Sequence, residues 1–421
     1  SKVNILFYSL LTQFNLHPQN IVNSFFIMNE LIHKKKYWIL LFLVSFNFFS
    51  FIYIPIPINF SKVIICIIGF IGLFYAVKRK IPAKTGFIIS FIFLILSCLS
   101  SYFYRNQNII NTFFASYIIV GFLWYFYFYK CKLQINVAEQ TIAWLAIVYS
   151  ISYIIQYSIY PTLLFDLPTE YYTNLKNSRL RIDGSILGSL GYFFFLCKGL
   201  TTQKKRINFI FAFICFLVIF LMGFRTMILS SIIATFFMII YIYKISTKSI
   251  YVLLCLFIAS LIIINTDYGQ VIIEGMIERQ QSDNFSNEDY VRYIGLNYYV
   301  NEHFNTTIEM LLGSGMPYHN SPIEKLNAIL EETGIRWNDW GIMGLSFNVG
   351  IITIGAIIIV LIKMMIKRID KKYIYLNCWL LYILLCSILT AEFIRHGHTL
   401  IIALVLYMIS ILPKQIKIKS R

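Results

Sequence analysis

The chain has 421 residues, of which 58% are hydrophobic and only 13% charged, with a mean hydropathy of +0.71. That balance excludes an ordinary soluble globular domain. The formal charge of +17 resides in short basic clusters between apolar runs, so it marks a membrane face and predicts no nucleic-acid partner.

Residues 3–32 are too rich in Asn, Gln and His to span a bilayer and lack a small-residue cleavage pattern; the segment 1–36 is expected to be cytoplasmic, interfacial or poorly ordered. Apolar runs follow at 37–54, 63–77, 86–104, 109–129, 141–160, 184–200, 208–223, 226–243, 249–265, 341–362, 373–390 and 397–412. Most are near the length needed to cross a ~30 Å hydrocarbon layer. No sustained two-residue alternation suggests a β-barrel. The expected fold is an all-α polytopic membrane protein of about twelve transmembrane helices, with a transmembrane domain at 37–412 and a cytoplasmic tail at 413–421.

Orientation follows from the basic residues. With the N-terminus inside, His33-Lys34-Lys35-Lys36, Lys78-Arg79-Lys80, Lys130/Lys132, Lys204-Lys205-Arg206, Lys244/Lys248 and Lys367-Arg368/Lys371-Lys372 share one side. Both termini are then cytoplasmic, and the loops 161–183 and 266–340 lie outside. Seven of the eight cysteines fall inside apolar runs and Cys131 sits at an inner end. No outside loop carries one and no CxxC or His/Cys cluster occurs, so neither a disulfide framework nor a metal site is expected.

Lys176, Arg179, Arg181, Arg225, Arg336 and Arg395 stand at outer ends, against the sorting rule, as cations held for an anion would. In Ser178-Arg179-Leu180-Arg181-Ile182-Asp183-Gly184, guanidinium forks precede a helix start that adds N–H donors and a positive dipole end; headgroup anchoring is the alternative. Gly184, Gly188 and Gly191 fall on roughly one helix face, for close backbone approach or helix packing. Arg225 sits in a tight turn, placed to bind an anion or to pair with an acid. Arg395, His396 and His398 begin the last run, as phosphate ligands or as a juxtamembrane anchor.

The large loop holds two expected helices. One covers about 287–303, with Tyr290, Tyr293, Ile294 and Tyr298 at helical spacing for a bilayer surface. The other covers about 322–333, with Ser321 as N-cap, Pro322 first, Glu324 completing a capping box and Gly334 as stop. Before it runs Gly313-Ser314-Gly315-Met316-Pro317-Tyr318-His319-Asn320. Of the outside histidines 303, 319, 396 and 398, only His319 lies on a glycine-flanked turn against a helix start. There an imidazole can take a proton near neutral pH, although most loop histidines are only loop residues. The aromatic residues, 18% of the chain, suit lipid packing and an interfacial belt, with sugar stacking on Trp337 and Trp340 as the sharper alternative.

In residues 170–400 the chain resembles the O-antigen polymerase (Wzy-type) and O-antigen ligase superfamily of GT-C-type membrane sugar transferases. The resemblance rests on Arg181 to Gly184 opening a span, Arg225 at the tip of the next hairpin, and Gly313, Gly315, His319 and Asn320 in the large loop. Asp339-Trp340-Gly341-Ile342-Met343-Gly344 adds an acidic-x-Gly-x-x-Gly start to the next helix. Where ligases commonly carry Ser-Arg, this chain reads Phe224-Arg225-Thr226.

The resemblance implies a metal-independent, cofactor-free inverting transfer at the periplasmic face of a bacterial inner membrane. The donor is an undecaprenyl-diphosphate-linked oligosaccharide, and the acceptor is a second lipid-linked repeat unit, or a lipid A core sugar in a ligase. It implies diphosphate binding by Arg179, Arg181, Arg225 and Arg395, catalysis by His319 as base together with Arg225, and positioning by Gly184, Tyr318, Asn320, Arg336 and Asp339. Membrane lipids and a chain-length regulator are the other implied partners. A lipid-linked oligosaccharide flippase is the rival class; it should show related halves, mid-membrane charge and short loops.

Overall fold

A computed structural model describes residues 35–54, 56–166, 180, 182–202, 205–244, 291–390, 392 and 395–413, with isolated positions between 246 and 277. Lys176, Arg179, Arg181, most of the apolar run 249–265, the start of the expected 287–303 helix and nearly all of both terminal segments lie outside these residues. Apart from one isolated bridge, Phe51 to Phe165, the described residues form helices and turns.

Helix α1 covers 35–45. It is followed by α2 (Ile58–Val77), α3 (Lys84–Arg105), α4 (Ile109–Ala115), α5 (Tyr117–Gly121), α6 (Trp124–Cys131) and α7 (Ile135–Ile159). Then come α8 (Ser185–Thr201), α9 (Lys205–Leu221) and α10 (Arg225–Tyr243). The large loop holds α11 (Val291–Asn297), α12 (Thr307–Leu312) and α13 (Pro322–Glu332). The chain re-enters the bundle through α14 (Gly341–Val349), α15 (Ile351–Met365), α16 (Tyr375–Cys386) and α17 (His398–Ile411).

Among the described residues, α2, α3, α7 and α10 are each long and apolar enough to cross a membrane, and a fifth crossing results if α4 to α6 is one span bent by 56°. Five shorter apolar helices pack among them. The chain is a helical, membrane-embedded protein.

Several apolar runs turn out to be broken. The first stops at 45 because Asn47, Phe48, Phe49 and Ser50 all adopt positive φ, a costly state for such side chains. The turn is secured by Ser50 Oγ donating to Asp183 Oδ2 at 2.8 Å and by Phe49 packing edge-on against Tyr149. Gly350, at φ +90°, splits the run 341–362 into α14 and α15. By contrast, the 15-residue run 63–77 extends back to Ile58 and becomes a full-length helix.

Helices α8 and α17 are the core. Every residue from Ser185 to Cys197 and from His398 to Ile409 is buried, so neither presents a face to lipid. Gly188 and Gly191 lie where α8 meets α7 and α9: a Cβ on Gly188 would stand 3.5 Å from Tyr149 and Val218, and one on Gly191 would collide with Ala146 and stand 3.0 Å from Cys215 Sγ. The glycine face serves helix packing.

Charged contacts between helices gather at the helix ends, while mid-helix contacts are neutral, such as Tyr192 OH with Thr235 Oγ1 at 2.8 Å and Trp379 Nε1 to Ser189 Oγ at 3.1 Å. At the lysine-rich end, Lys198 Nζ meets Glu139 Oε1 at 2.8 Å. There Lys84 donates to Val77 O at 2.8 Å, Lys371 to Ile242 O at 2.6 Å and Lys367 to Ile409 O at 2.6 Å. These lysines satisfy carbonyls that helix C-termini leave open.

A Gly191→Leu variant is expected to lose about 1–3 kcal/mol through overpacking and to melt several degrees lower in detergent. Gly355→Leu, where an added Cβ meets nothing within 4 Å, should melt like the parent. Equal melting of the two variants would contradict this helix interface.

Candidate functional site

At the end opposite the lysines, α8 and α17 begin side by side. Each follows a glycine in the left-handed region, Gly184 at φ +96° and Gly397 at φ +77°, and neither has a side-chain N-cap. Ser185 Oγ of α8 lies 3.3 Å from His398 Nε2 of α17. Leu187 N donates to Gly184 O at 2.8 Å, and His398 N and Leu400 N donate to Arg395 O and Gly397 O at 3.2 and 3.1 Å, so the first turns are tightly closed and two positive dipole ends converge.

The loop before α17 supplies charge to this junction. Arg395 Nη1 donates to Ser185 Oγ at 2.9 Å and stands 3.4 Å from Glu392 Oε1. Its guanidinium lies 5.4 Å over the ring of Phe224, the residue before Arg225. Glu392 Oε2 is 3.3 Å from His398 Nδ1 and accepts from Ser185 Oγ at 3.4 Å. Burial alone would raise the Glu392 carboxyl, but Arg395, His398 and Ser185 together outweigh it and hold it at about 2. Burial likewise works against the Arg395 charge, and the facing Glu392, with Tyr149 and Asp183, more than restores it.

Next to this group His396 is fixed between two hydroxyls. Ser61 Oγ donates to Ile58 O at 2.8 Å, so it accepts from His396 Nε2 at 3.1 Å. Nδ1 is then the acceptor for Tyr117 OH at 2.9 Å. Burial holds this ring at about 4; it is neutral at pH 7. The bend between α4 and α5 places Tyr117 here, with Lys62 Nζ 5.2 Å from its ring centroid.

Of the residues expected from sequence, the structure brings Gly184, Arg395 and, through Phe224, Arg225 to one region. Gly184 packs against the Phe49 ring. Arg225 opens α10 directly after the turn Met222–Phe224, with Gly223 at φ +66°. The segment leading to Gly184 is held by its neighbours: Tyr153 OH donates to Leu180 O at 3.1 Å and Tyr149 OH to Ile182 O at 3.2 Å. His398, read in the sequence as a phosphate ligand or anchor, instead joins this network, while Ser185, Glu392, Ser61, Lys62 and Tyr117 were not singled out as site residues. Two glycines opening apolar runs, Gly184 directly after Asp183 and Gly397 five residues after Glu392, were the available signal.

His319 is not part of this junction. Its ring is 82% exposed, with Nδ1 3.5 Å from Glu324 Oε2. Glu324 also accepts from Asn320 N at 2.5 Å, and its own N–H donates to Ser321 Oγ at 3.2 Å. Tyr318 and Arg336 are exposed, and Asp339 is half-buried in the turn Trp337–Trp340.

The motif glycines have packing roles. Gly315 N donates to Asn348 O at 2.7 Å, and Ser314 N to Phe347 O at 3.0 Å, docking the loop on the α14–α15 break. Gly341 abuts the carbonyls of Ser387 and Thr390. Trp337 and Trp340 pack on a small cluster of Tyr299, Ile335 and Phe347.

A second buried polar group ties the loop down. Arg105 Nε pairs with Glu309 Oε1 at 2.5 Å, and Arg105 Nη2 donates to His303 O. His303 Nε2 meets Ser314 Oγ at 3.0 Å, and its Nδ1 is buried without a partner. The predicted surface helix therefore turns Gly295, Tyr299 and His303 inward and leaves Tyr293 and Ile294 exposed.

Among the described residues no group of three His, Cys, Asp or Glu could hold a metal ion. Neither protein-family models nor curated proteins offer a match to this chain.

Burial, with Arg105 nearby, holds His303 at about 3, far below a free histidine near 6.5. The unfolded chain binds this proton first, so the stability is complete above about pH 6.5 and declines as pH falls toward 3, by up to about 1.4 kcal/mol per unit. His396 acts with the same sign. Melting temperature should fall between pH 7.5 and 5, less steeply in His303→Gln; parallel slopes would contradict the buried neutral imidazole.

Proposed function

We propose that this chain is a GT-C-type glycosyltransferase. It polymerises undecaprenyl-diphosphate-linked oligosaccharide repeat units into O-antigen or a related surface polysaccharide at the periplasmic face of a bacterial inner membrane. The observation that carries the proposal is the junction of α8 and α17: two buried helix N-termini with Arg395 between them and Arg225 one residue from its aromatic support. Such a junction suits a diphosphate, because fixed donors and guanidinium groups stabilise charge gathering on a leaving group. Arg179 and Arg181 belong to the same diphosphate set through their place in the sequence just ahead of Gly184. The twelve-run pattern, the broken spans included, makes about twelve crossings with both termini cytoplasmic and the loop end periplasmic.

In the proposed reaction the acceptor hydroxyl oxygen forms a bond to the anomeric carbon. The bond from that carbon to the phosphate oxygen breaks, and the lipid diphosphate leaves with the electron pair. His319 takes the hydroxyl proton. Glu324 beside its Nδ1 supports that role, since a carboxylate there orients the ring and leaves Nε2 for the substrate. Tyr318, Asn320, Arg336 and Asp339 are assigned to substrate positioning through the resemblance, and Gly184 sets the start of α8. A ligase would differ in its acceptor, a lipid A core sugar.

In cells, Arg225→Ala and Arg395→Ala should convert long polysaccharide ladders to single repeats at normal protein level. Lipid-linked repeats should accumulate on the outer leaflet; accumulation on the inner leaflet would identify a flippase instead. His319→Ala should slow chain growth by roughly 10²–10⁴, and a normal ladder from it would remove His319 as the base.

Sidedness is tested by one engineered thiol. Glu331→Cys on the exposed face of α13 should react with an impermeant maleimide in spheroplasts, whereas the exposed Cys131 should react only after permeabilisation. The reverse pattern would invert the membrane orientation and the proposal with it.

A further inference from the structure

Glu392 and Arg395 do not form the two-pronged pair usual for a guanidinium and a carboxylate. Glu392 is 1% exposed, yet its Oε1 accepts no hydrogen bond and stands 3.4 Å from Arg395 Nη1. A buried carboxylate oxygen left so is costly. Ser185 draws the arginine away: Nη1 donates to its Oγ at 2.9 Å, and Phe224 supports the guanidinium face. Both polar contacts use Nη1, so Nη2 and Nε carry no hydrogen bond among the described residues. The arginine is gripped from behind and remains 20% exposed.

The proton positions can be assigned. The Glu392 backbone carbonyl lies 2.6 Å from His398 Nδ1; a carbonyl only accepts, so Nδ1 keeps its hydrogen. Nε2 is therefore the nitrogen that meets the serine, facing Ser185 Oγ at 3.3 Å. With Nε2 bare, the Ser185 hydroxyl donates to it. With Nε2 protonated, the ring donates to Ser185 Oγ and the hydroxyl turns to Glu392 Oε2 at 3.4 Å. In both states Ser185 Oγ continues to accept from Arg395.

We propose that Glu392, Ser185 and His398 are positioning residues that act through the Ser185 hydroxyl to hold Arg395 with its Nη2 and Nε edge turned to an incoming phosphate group. This rests on Arg395 as a phosphate ligand, the role given to it above. None of the three touches the phosphate; they set the direction of the guanidinium and preserve its charge. Among the described residues the other titratable or charged groups facing the cluster are Asp183 before α8, Tyr149 and Tyr153 of α7, Tyr382 and Cys386 of α16, His396 before α17 and, beyond His396, Lys62 of α2.

The test is binding of radiolabelled inorganic pyrophosphate to the full chain in detergent, with melting temperature recorded for each variant. His398→Asn retains a donor near the Nδ1 position and nothing at Nε2; it should bind about tenfold more weakly, the loss expected for one hydrogen bond in a charged network. His398→Gln, whose amide reaches the Nε2 position, should recover to within about twofold of the parent. Glu392→Gln should also weaken binding about tenfold; where that variant fails to fold, Ser185→Ala decides in its place.

Folded His398→Asn and Glu392→Gln (or Ser185→Ala) proteins with parental affinity would overturn the positioning role while leaving Arg395 as a ligand. Equal weakness of His398→Asn and His398→Gln would overturn the route through Ser185. A parent chain that binds no pyrophosphate would remove the phosphate role of Arg395, and this inference with it.

Discussion

Closing the starts of two buried helices is the constraint from which the rest of the loop end follows. Helices α8 and α17 are encased along nearly their whole length, and each opens after a glycine that offers no side-chain cap. Their first N–H groups and their positive ends meet. Glu392 supplies the negative charge, and Arg395 and His398 share it. Asp183, one residue before Gly184, takes a hydroxyl from Ser50, which accounts for the unusual turn that ends α1. Tyr149 and Tyr153 secure the strand of chain leading in.

The opposite end meets the same constraint with other means. There helices stop, and the groups left over are carbonyls. Lys84, Lys367 and Lys371 reach them directly. The basic residues that set orientation in the sequence thus also complete the backbone of neighbouring helices. Their charge is partly spent on helix dipoles and less of it faces lipid headgroups than their number suggests.

The helical membrane class was legible because composition and run length are one-dimensional properties. Local chemistry was legible as well: Ser321, Pro322 and Glu324 predicted α13, and its capping contacts are present. Breaks were not legible, because Phe48 and Phe49 look like any span residues and only tertiary contacts hold them at positive φ. The candidate site was half visible. Arg225 and Arg395 stood out as misplaced cations, whereas Ser185 and Glu392 gain meaning only when α8 and α17 meet, more than 200 residues apart in the chain. The glycines around His319 suggested a substrate turn, yet Gly313 and Gly315 are fitted against α14, α15 and α3.

The burial of α17 has a consequence for biosynthesis. It is the last of the described helices to leave the ribosome, yet it occupies the centre of the bundle. Until it inserts, Ser185 and the surrounding helices enclose a hollow, and Lys367 has no C-terminal carbonyls to engage. The earlier helices must therefore wait in an open arrangement beside the translocation machinery, and the final hairpin, not the first, locks the assembly. A chain released before that hairpin leaves Ser185 without Arg395 and the bundle without its most enclosed helix, exposing surface that membrane quality-control proteases recognise.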